Sequence, residues 1–556
     1  MTTRSMEDPF VSAEAHGAAG LFDAPADRET PPVARMDRGE SAAVPVRPGG
    51  SERPLFLVHD GTGSIDYARA LAPGIDGGIP VLALPAASPD EPPLRTVEGM
   101  AVRLARMIQA VQPTGPYRVA GWAFGGLLAY EVAVQLVGRD QAVELVGMID
   151  TPCPVAPGRS GAGGAGELDA ILEEGSRGGP IPAGATREEV RERVRACLRA
   201  RDVYDPTPLP VPVHLFRVAE DAAPDPRLGW GAVLPESGVV VASVPGTHGS
   251  RMGPEQAASL GEELSRALHR AADGGKRRAG SDYSPLLTLR GGDRGRAPLF
   301  CVPGAGATVV SFLELSNLLE GWAVHGLQPR GADGELPPHS TVDAAAEAYL
   351  REVERARPEG GAHLLGHSYG GWVVFEMARR LREAGRAVES LTLVDTQPPS
   401  ADPMLIRECD GPEAFLRLVG IFEKSAERSL GIGAGQVEGL DVAGRLALLH
   451  GRLVSAGIMP RQSVPGALRG PFRTFAAASR SSYAPPSVFP DPVRLVLARD
   501  PELDEAANQR RFAETVAGWR RWAPGLQVTV ASGNHVTVLK PPHVASIAAY
   551  FDPPRS

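Results

Sequence analysis

The chain contains itself twice. Gly121-Trp122-Ala123-Phe124-Gly125-Gly126 returns as Gly366-His367-Ser368-Tyr369-Gly370-Gly371, 245 residues later. Thr96 and Thr341, Glu131 and Glu376, and Asp150 and Asp395 keep the same offset of 245, and the apolar runs Leu55-Phe56-Leu57-Val58 and Leu299-Phe300-Cys301-Val302 keep one of 244. A constant offset over about a hundred residues is the signature of a duplicated unit, so the chain has to fold as two copies of one architecture. A single G-x-S-x-G would carry little weight among 65 glycines in 556 residues, where composition alone supplies roughly half a match. The shared offset carries the argument instead. After the aspartates the copies diverge. Asp150 to His248 spans 98 residues and Asp395 to His535 spans 140, so the second copy holds about forty more.

Each copy alternates strand and helix. Val44–Arg47 and Leu55–Val58 flank Pro48-Gly49-Gly50-Ser51-Glu52-Arg53, a hairpin-like signal, and Val81–Leu84 is a further buried strand. Val97 to Val111 has helical apolar spacing behind Thr96 as N-cap. Tyr117–Ala120 and Leu145–Ile149 are strands around a helix from Gly126 to Val137. Gly158–Gly184 is glycine-rich, Arg187–Arg201 is a charged helix, and Val213–Val218 and Val239–Val244 are late strands. The order implies an α/β fold with a mostly parallel sheet and helices on both faces, built twice in tandem. The expected division is a disordered or docking tail over 1–42, a first domain over 43–272, a linker over 273–283 and a second domain over 284–556. The second domain carries an insertion at about 398–482, with helical segments at Pro412–Ser425 and Val442–Ala456.

Composition narrows the function. Apolar residues make up 43% of the chain, enough for two cores. A net charge of −9 argues against nucleic acid as a partner, and Lys276-Arg277-Arg278 reads as a solvated run in the linker. Cys153, Cys197, Cys301 and Cys409 lack metal-ligand spacing, so no metal site is expected and a reduced, cytoplasmic protein is. The first ten residues lack an apolar segment, so no signal peptide is expected. No run approaches the length of a membrane span.

The second copy carries the residues of covalent catalysis. Ser368 sits among glycines at a strand-to-helix turn, as in the nucleophile elbow of an α/β-hydrolase, which needs residues that tolerate crowding. The turn exposes the hydroxyl and puts the Tyr369 amide at a helix N-terminus. That amide, with one from the loop around Gly304-Ala305, can form an oxyanion hole. Asp395 ends the apolar run Leu391–Val394, at the sheet edge where open α/β folds bind ligands. His535 follows the strand Leu526–Ala531 and the turn Ser532-Gly533-Asn534, where a base belongs. The order Ser368, Asp395, His535 is the α/β-hydrolase order. His367 flanks the nucleophile and lines the pocket, and His543 belongs to a helix start.

The stretches Gly366-His367-Ser368-Tyr369-Gly370-Gly371-Trp372-Val373-Val374-Phe375-Glu376-Met377-Ala378, Leu393-Val394-Asp395-Thr396 and Gly533-Asn534-His535-Val536-Thr537-Val538-Leu539 resemble the thioesterase domains that release chains from nonribosomal peptide and polyketide synthases. The resemblance is strong over 284–556 and weaker over 43–272. It implies a substrate held as a thioester on the phosphopantetheine arm of an acyl- or peptidyl-carrier protein, and no bound cofactor. It also implies that Ser368 takes the acyl chain, His535 shuttles the proton, Asp395 orients His535, and the Tyr369 and Ala305 amides hold the oxyanion. Release by water or by an internal nucleophile gives an acid, a lactone or a lactam. The loop Val302-Pro303-Gly304-Ala305-Gly306 departs from the His-Pro-x-Gly-Gly form of the family, and the insertion after Asp395 lies where such enzymes carry a lid. The chain shows no Asp-Ser-Leu-like carrier site, so the carrier is expected to be a separate protein.

The first copy keeps Asp150 and His248 but has Ala123 in place of the nucleophile. Three readings stand: a degenerate copy that docks a carrier or packs on its sibling, a general-base site without acylation, or an engineered substitution that disables one of two active copies. For the whole chain, chain release or macrocyclisation competes with an editing thioesterase or another serine esterase, and with a pure docking module.

Overall fold

The computed structural model describes residues 42–551 except 89–90, 92–93, 156–167, 169–170, 172–184, 219–224, 245–253, 275–282, 294 and 401–411. The expected tail, most of the expected linker and most of the Gly158–Gly184 stretch lie outside the described residues, as does His248.

The described residues form two seven-stranded sheets that share one topology. The first comprises β1 (Val44–Arg47), β2 (Leu55–Val58), β3 (Val81–Leu84), β4 (Tyr117–Trp122), β5 (Val143–Ile149), β6 (Val213–Val218) and β7 (Val239–Val244). Its spatial order is β1-β3-β2-β4-β5-β6-β7. The second comprises β8 (Leu286–Arg290), β9 (Leu299–Val302), β10 (Val324–Leu327), β11 (Ala362–His367), β12 (Val388–Val394), β13 (Val493–Ala498) and β14 (Leu526–Ala531), in the order β8-β10-β9-β11-β12-β13-β14. In each sheet the first strand alone is antiparallel. Helices cover both faces, as the apolar cores on each side of both sheets require.

The hairpin expected around Pro48–Arg53 does not form. β1 pairs with β3, and β2 lies between β3 and β4. The burial pattern gives the reason. All four residues of β2 are buried, so it needs a partner on each edge, whereas β1 is only partly buried and suits the sheet border. The Arg47 guanidinium ties β1 there by donating to the carbonyls of Ala72, Ile75, Asp76 and Ile79.

The duplication extends into the packing. Thr96 and Thr341 each cap a fifteen-residue helix, accepting from the amides of Gly99 and Ala344. Thr341→Ala is therefore expected to cost about 1 kcal/mol, with Thr96→Ala close to it, measured by denaturant unfolding. Buried Glu131 accepts from Tyr204 Oη at 2.7 Å, and buried Glu376 from Tyr483 Oη at 2.9 Å. Trp230 and Trp519 donate to the carbonyls of Thr151 and Thr396 at 2.7 and 2.8 Å.

The second half carries a helical insertion with a core of its own. The helices Pro412–Ala426 and Val442–Ser455 occupy the two expected segments. The helix Arg469–Ser479, which the sequence reading missed, joins them through Phe475. The two halves also meet. Ser340 N donates to Gly138 O at 2.9 Å, and Ser340 Oγ donates to Gln135 O at 3.1 Å. No helix among the described residues is long and apolar enough to cross a membrane.

Candidate active site

Ser368 stands between β11 and the helix Tyr369–Glu383 with φ 54° and ψ −123°, the left-handed side of backbone space that a non-glycine residue rarely takes. Three glycines make the turn possible. A Cβ on Gly366 would lie 2.3 Å from Gly370 O, one on Gly370 would lie 2.3 Å from Val302 O, and one on Gly371 would lie 2.1 Å from Thr396 Oγ1. The first two obstacles are backbone and cannot swing away. Gly370→Ala is expected to destabilise the second half by about 3 kcal/mol or more, read as a separate loss in its denaturant unfolding.

The strained serine meets two residues from other strands. Ser368 Oγ donates to His535 Nε2 at 3.0 Å, and His535 Nδ1 donates to Asp395 Oδ2 at 2.7 Å. Asp395 directly follows β12, with φ 42°, and its amide donates to Val496 O on β13 at 2.7 Å. Its other oxygen, Oδ1, accepts from the Ala498 amide at 3.0 Å and from Arg511 Nη1 at 3.3 Å. Burial works to raise the Asp395 carboxyl. The hydrogen bond and charge of His535, the Ala498 amide and Arg511 outweigh it, so the group sits below the usual aspartate value. An ionised carboxylate there fixes the imidazole with its Nδ1 protonated and its Nε2 lone pair toward the serine.

The loop that presents His535 is pinned from several sides. Asn534 Oδ1 accepts the amides of Val536 and Thr537 at 2.9 Å each, and Asn534 Nδ2 donates to Lys424 O at 3.0 Å. Lys424 Nζ in turn reaches Asp500 Oδ2 at 2.8 Å, and Lys540 Nζ donates to Ser425 O at 2.8 Å. The helix Pro412–Ala426 is thereby tied to the base loop. His367 lies beneath His535, with ring centroids 4.9 Å apart, and its Nε2 donates to His535 O at 2.7 Å. Burial, and after it the neighbouring His535, push the His367 imidazole down to about 3, so it is neutral and serves as a donor. His543 contacts Ser532 Oγ at 2.8 Å ahead of the helix Ala545–Ala548.

The candidate oxyanion residues lie together. Tyr369 opens the helix after the elbow, and Ala305 sits in the loop after β9. Both line one small cavity, with Gly304, Arg330, His339 and Thr474 among its other walls. No group of three or more His, Cys, Asp or Glu side chains that could hold a metal ion occurs among the described residues.

The first half builds the same elbow around a methyl group. Ala123 has φ 52° and ψ −115°, and its amide donates to Ile149 O at 2.9 Å, as that of Ser368 donates to Val394 O at 2.9 Å. A Cβ would lie 2.0 Å from Gly125 O on Gly121, 2.4 Å from His59 O on Gly125 and 1.9 Å from Thr151 Oγ1 on Gly126, so this turn is as crowded as its counterpart. Asp150 repeats the backbone of Asp395, with φ 45° and its amide donating to Phe216 O at 2.9 Å. The loop differs. Asp60 stands where Gly304 stands in the second half, and its Oδ1 accepts from the Thr62 amide at 2.8 Å and from Thr62 Oγ1 at 2.6 Å.

Known proteins resemble the chain in both halves. The thioesterase domain family matches residues 53–204 and 297–421. The non-reducing polyketide synthase crz7 of Cladonia metacorallifera is 34% identical over 182 residues, which is 31% of this chain and 8% of that protein. The nonribosomal peptide synthetase btyA of Aspergillus terreus is 30% identical over 161 residues, 29% of this chain and 17% of that protein. This chain thus spans less than a fifth of the length of these two relatives. Among solved structures, the NocB thioesterase domain in covalent complex with a fluorophosphonate nocardicin G analogue is 23% identical, with a TM-score of 0.35, covering 42% of this chain and 100% of that one. The chain carries two thioesterase domains in tandem, one with serine at its elbow and the other with alanine.

Proposed function

We propose that the second domain releases a peptide or polyketide chain from the phosphopantetheine thioester of a carrier protein, through an acyl-enzyme on Ser368. The unbroken hydrogen-bond chain from Ser368 through His535 to Asp395 is the observation that carries this reading. In it, Ser368 Oγ attacks the thioester carbonyl as its proton passes to His535 Nε2. The carbonyl oxygen gains charge facing the Tyr369 and Ala305 amides. The carbon–sulfur bond then breaks, and the leaving thiolate takes the proton back from His535. Water, or an amine or hydroxyl of the chain itself, next gives its proton to His535 and attacks the ester. Ser368 leaves with that proton, and an acid, lactone or lactam departs.

In this reading the armed domain runs over 284–556, with its lid at about 398–482. The domain over 43–272, with Ala123, Asp150 and His248, forms no acyl-enzyme. Cys197 and Cys301 are buried free thiols, which fits a reducing cytoplasm. The reading is tested by incubating the full chain with carrier proteins loaded with acyl and peptidyl groups and following both release and protein mass. Release with a transient acyl mass on the peptide that contains Ser368 supports it. Release that persists in Ser368→Ala rules it out.

A further inference from the structure

The first domain lacks a nucleophile, yet it holds two walls of the second domain's cavity. One tie runs through Arg473, on the helix Arg469–Ser479. Its Nη2 donates to Asp205 Oδ2 and to Pro206 O of the first domain, both at 2.7 Å, while its Nη1 donates to Gly334 O of the second at 2.9 Å. Arg473 is buried, and Arg469 approaches the same Asp205 oxygen at 3.3 Å. The helix so anchored lies directly on the loop that bears Ala305. A Cβ on Gly306 would lie 2.9 Å from Phe475 Cβ and 3.0 Å from Pro471 O. It also lies on the segment below, where a Cβ on Gly470 would come within 2.0 Å of Ala332 O.

A second tie runs through Asp140, at the end of the helix Phe124–Gly138. Its carboxylate takes Arg330 Nη1 at 2.5 Å and Arg351 Nη2 at 3.0 Å. Arg330 also donates to Val137 O at 2.9 Å and, within its own loop, to Pro337 O at 2.8 Å. Arg330, Pro338 and His339 belong to the cavity wall that Tyr369 and Ala305 complete. Both aspartates therefore bear on the walls that face Ala305 and Tyr369, the residue after Ser368.

We propose that the first domain is a positioning unit for the second: Asp205 holds the helix Arg469–Ser479, and Asp140 holds the 329–340 loop, against the Ala305 and Tyr369 segments beside Ser368, and that this placement governs how a long acyl chain is accepted. This rests on the reading of Ser368 as acyl acceptor. Charge-assisted bonds at this depth are worth keeping intact, because removing one partner leaves the other buried and unpaired. A bystander domain would have no reason to contribute both.

The test uses the full chain and Asp205→Asn, which keeps the side-chain shape, with Arg473→Met and the double variant to close a cycle. Four quantities are read: the rate of Ser368 labelling by a small fluorophosphonate, turnover of an acetyl thioester, KM and kcat for a long-chain acyl thioester, and hydrogen exchange over 329–340 and 469–479. In Asp205→Asn we expect exchange in 469–479 to rise at least tenfold and KM for the long chain to rise about tenfold. Labelling and acetyl turnover should stay within twofold, and the double variant should be no worse than Arg473→Met. Unchanged exchange and unchanged long-chain KM would overturn the proposal. So would equal losses on the short and long substrates. A parent chain inert toward every thioester would instead refute the reading of Ser368, and the exchange measurement would still decide whether the first domain holds the helix.

Discussion

Ser368→Ala is expected to lower thioester release by on the order of 10⁶-fold, the scale on which removing the nucleophile of a serine triad acts. The effect is that large because the other parts work only on bonds that the serine makes. In the proposed mechanism His535 takes a proton from Ser368 Oγ, to which it is hydrogen-bonded, and Asp395 acts through His535. The substitution should leave the fold intact. The first domain already holds an alanine at this turn, with φ 52° against 54° for the serine, and both amides make the same 2.9 Å bond to the strand beside them. The variant is thus a second copy of a site the chain already contains. Carrier affinity and melting temperature should match the parent while the acyl-enzyme mass disappears.

Asp395→Asn comes next, with an expected loss of about 10⁴-fold in kcat. A neutral amide in this place stops fixing the imidazole tautomer and no longer stabilises the imidazolium that forms in turnover. Two donors make the loss hard to evade. The Ala498 amide and Arg511 both point at Oδ1, and an amide side chain turned to satisfy them offers its NH₂ to His535 Nδ1. The imidazole would then be held with Nδ1 as acceptor and Nε2 protonated, the wrong state for a base. Stability carries the same signature. The folded-state carboxyl of Asp395 is depressed, so its contribution is fully present above the ordinary aspartate value and is lost as pH falls through the lowered one. The melting temperatures of parent and Asp395→Asn should therefore differ most near neutral pH and converge in acid. A constant gap across that range would mean that the carboxylate contributes shape and not charge.

The meeting of Ser368, His535 and Asp395 was legible in the sequence because the constraints on it are local. A turn as tight as that at Ser368 demands glycine at 366, 370 and 371, and the duplicated set at 121, 125 and 126 made it conspicuous. Asp395 and His535 each follow a short apolar strand, so their place at the sheet edge came from strand pattern. The groups that hold the triad left no such trace. Arg511 comes from a helix more than a hundred residues after Asp395, and Asn534 acts through a backbone carbonyl, which no spacing records. The Glu131–Tyr204 and Glu376–Tyr483 pairs escaped because the tyrosines lie beyond the point where the offset breaks. Among 57 basic and 66 acidic residues, nothing in spacing selects Arg473 for Asp205 or Arg330 for Asp140. The missed helix Arg469–Ser479 has a proline at its third position, which reads in sequence as a break although the first turn of a helix tolerates it. The false hairpin at Pro48–Arg53 arose because a turn signal says where the chain reverses and not which strand it meets next.

The measurement that bears most directly on the central claim is the intact mass of the full chain after reaction with a fluorophosphonate, followed by peptide mapping. One adduct, on Ser368, is the predicted result: an armed domain beside one whose elbow is complete but holds a methyl group. An adduct on the first domain, or none on Ser368, would contradict the account.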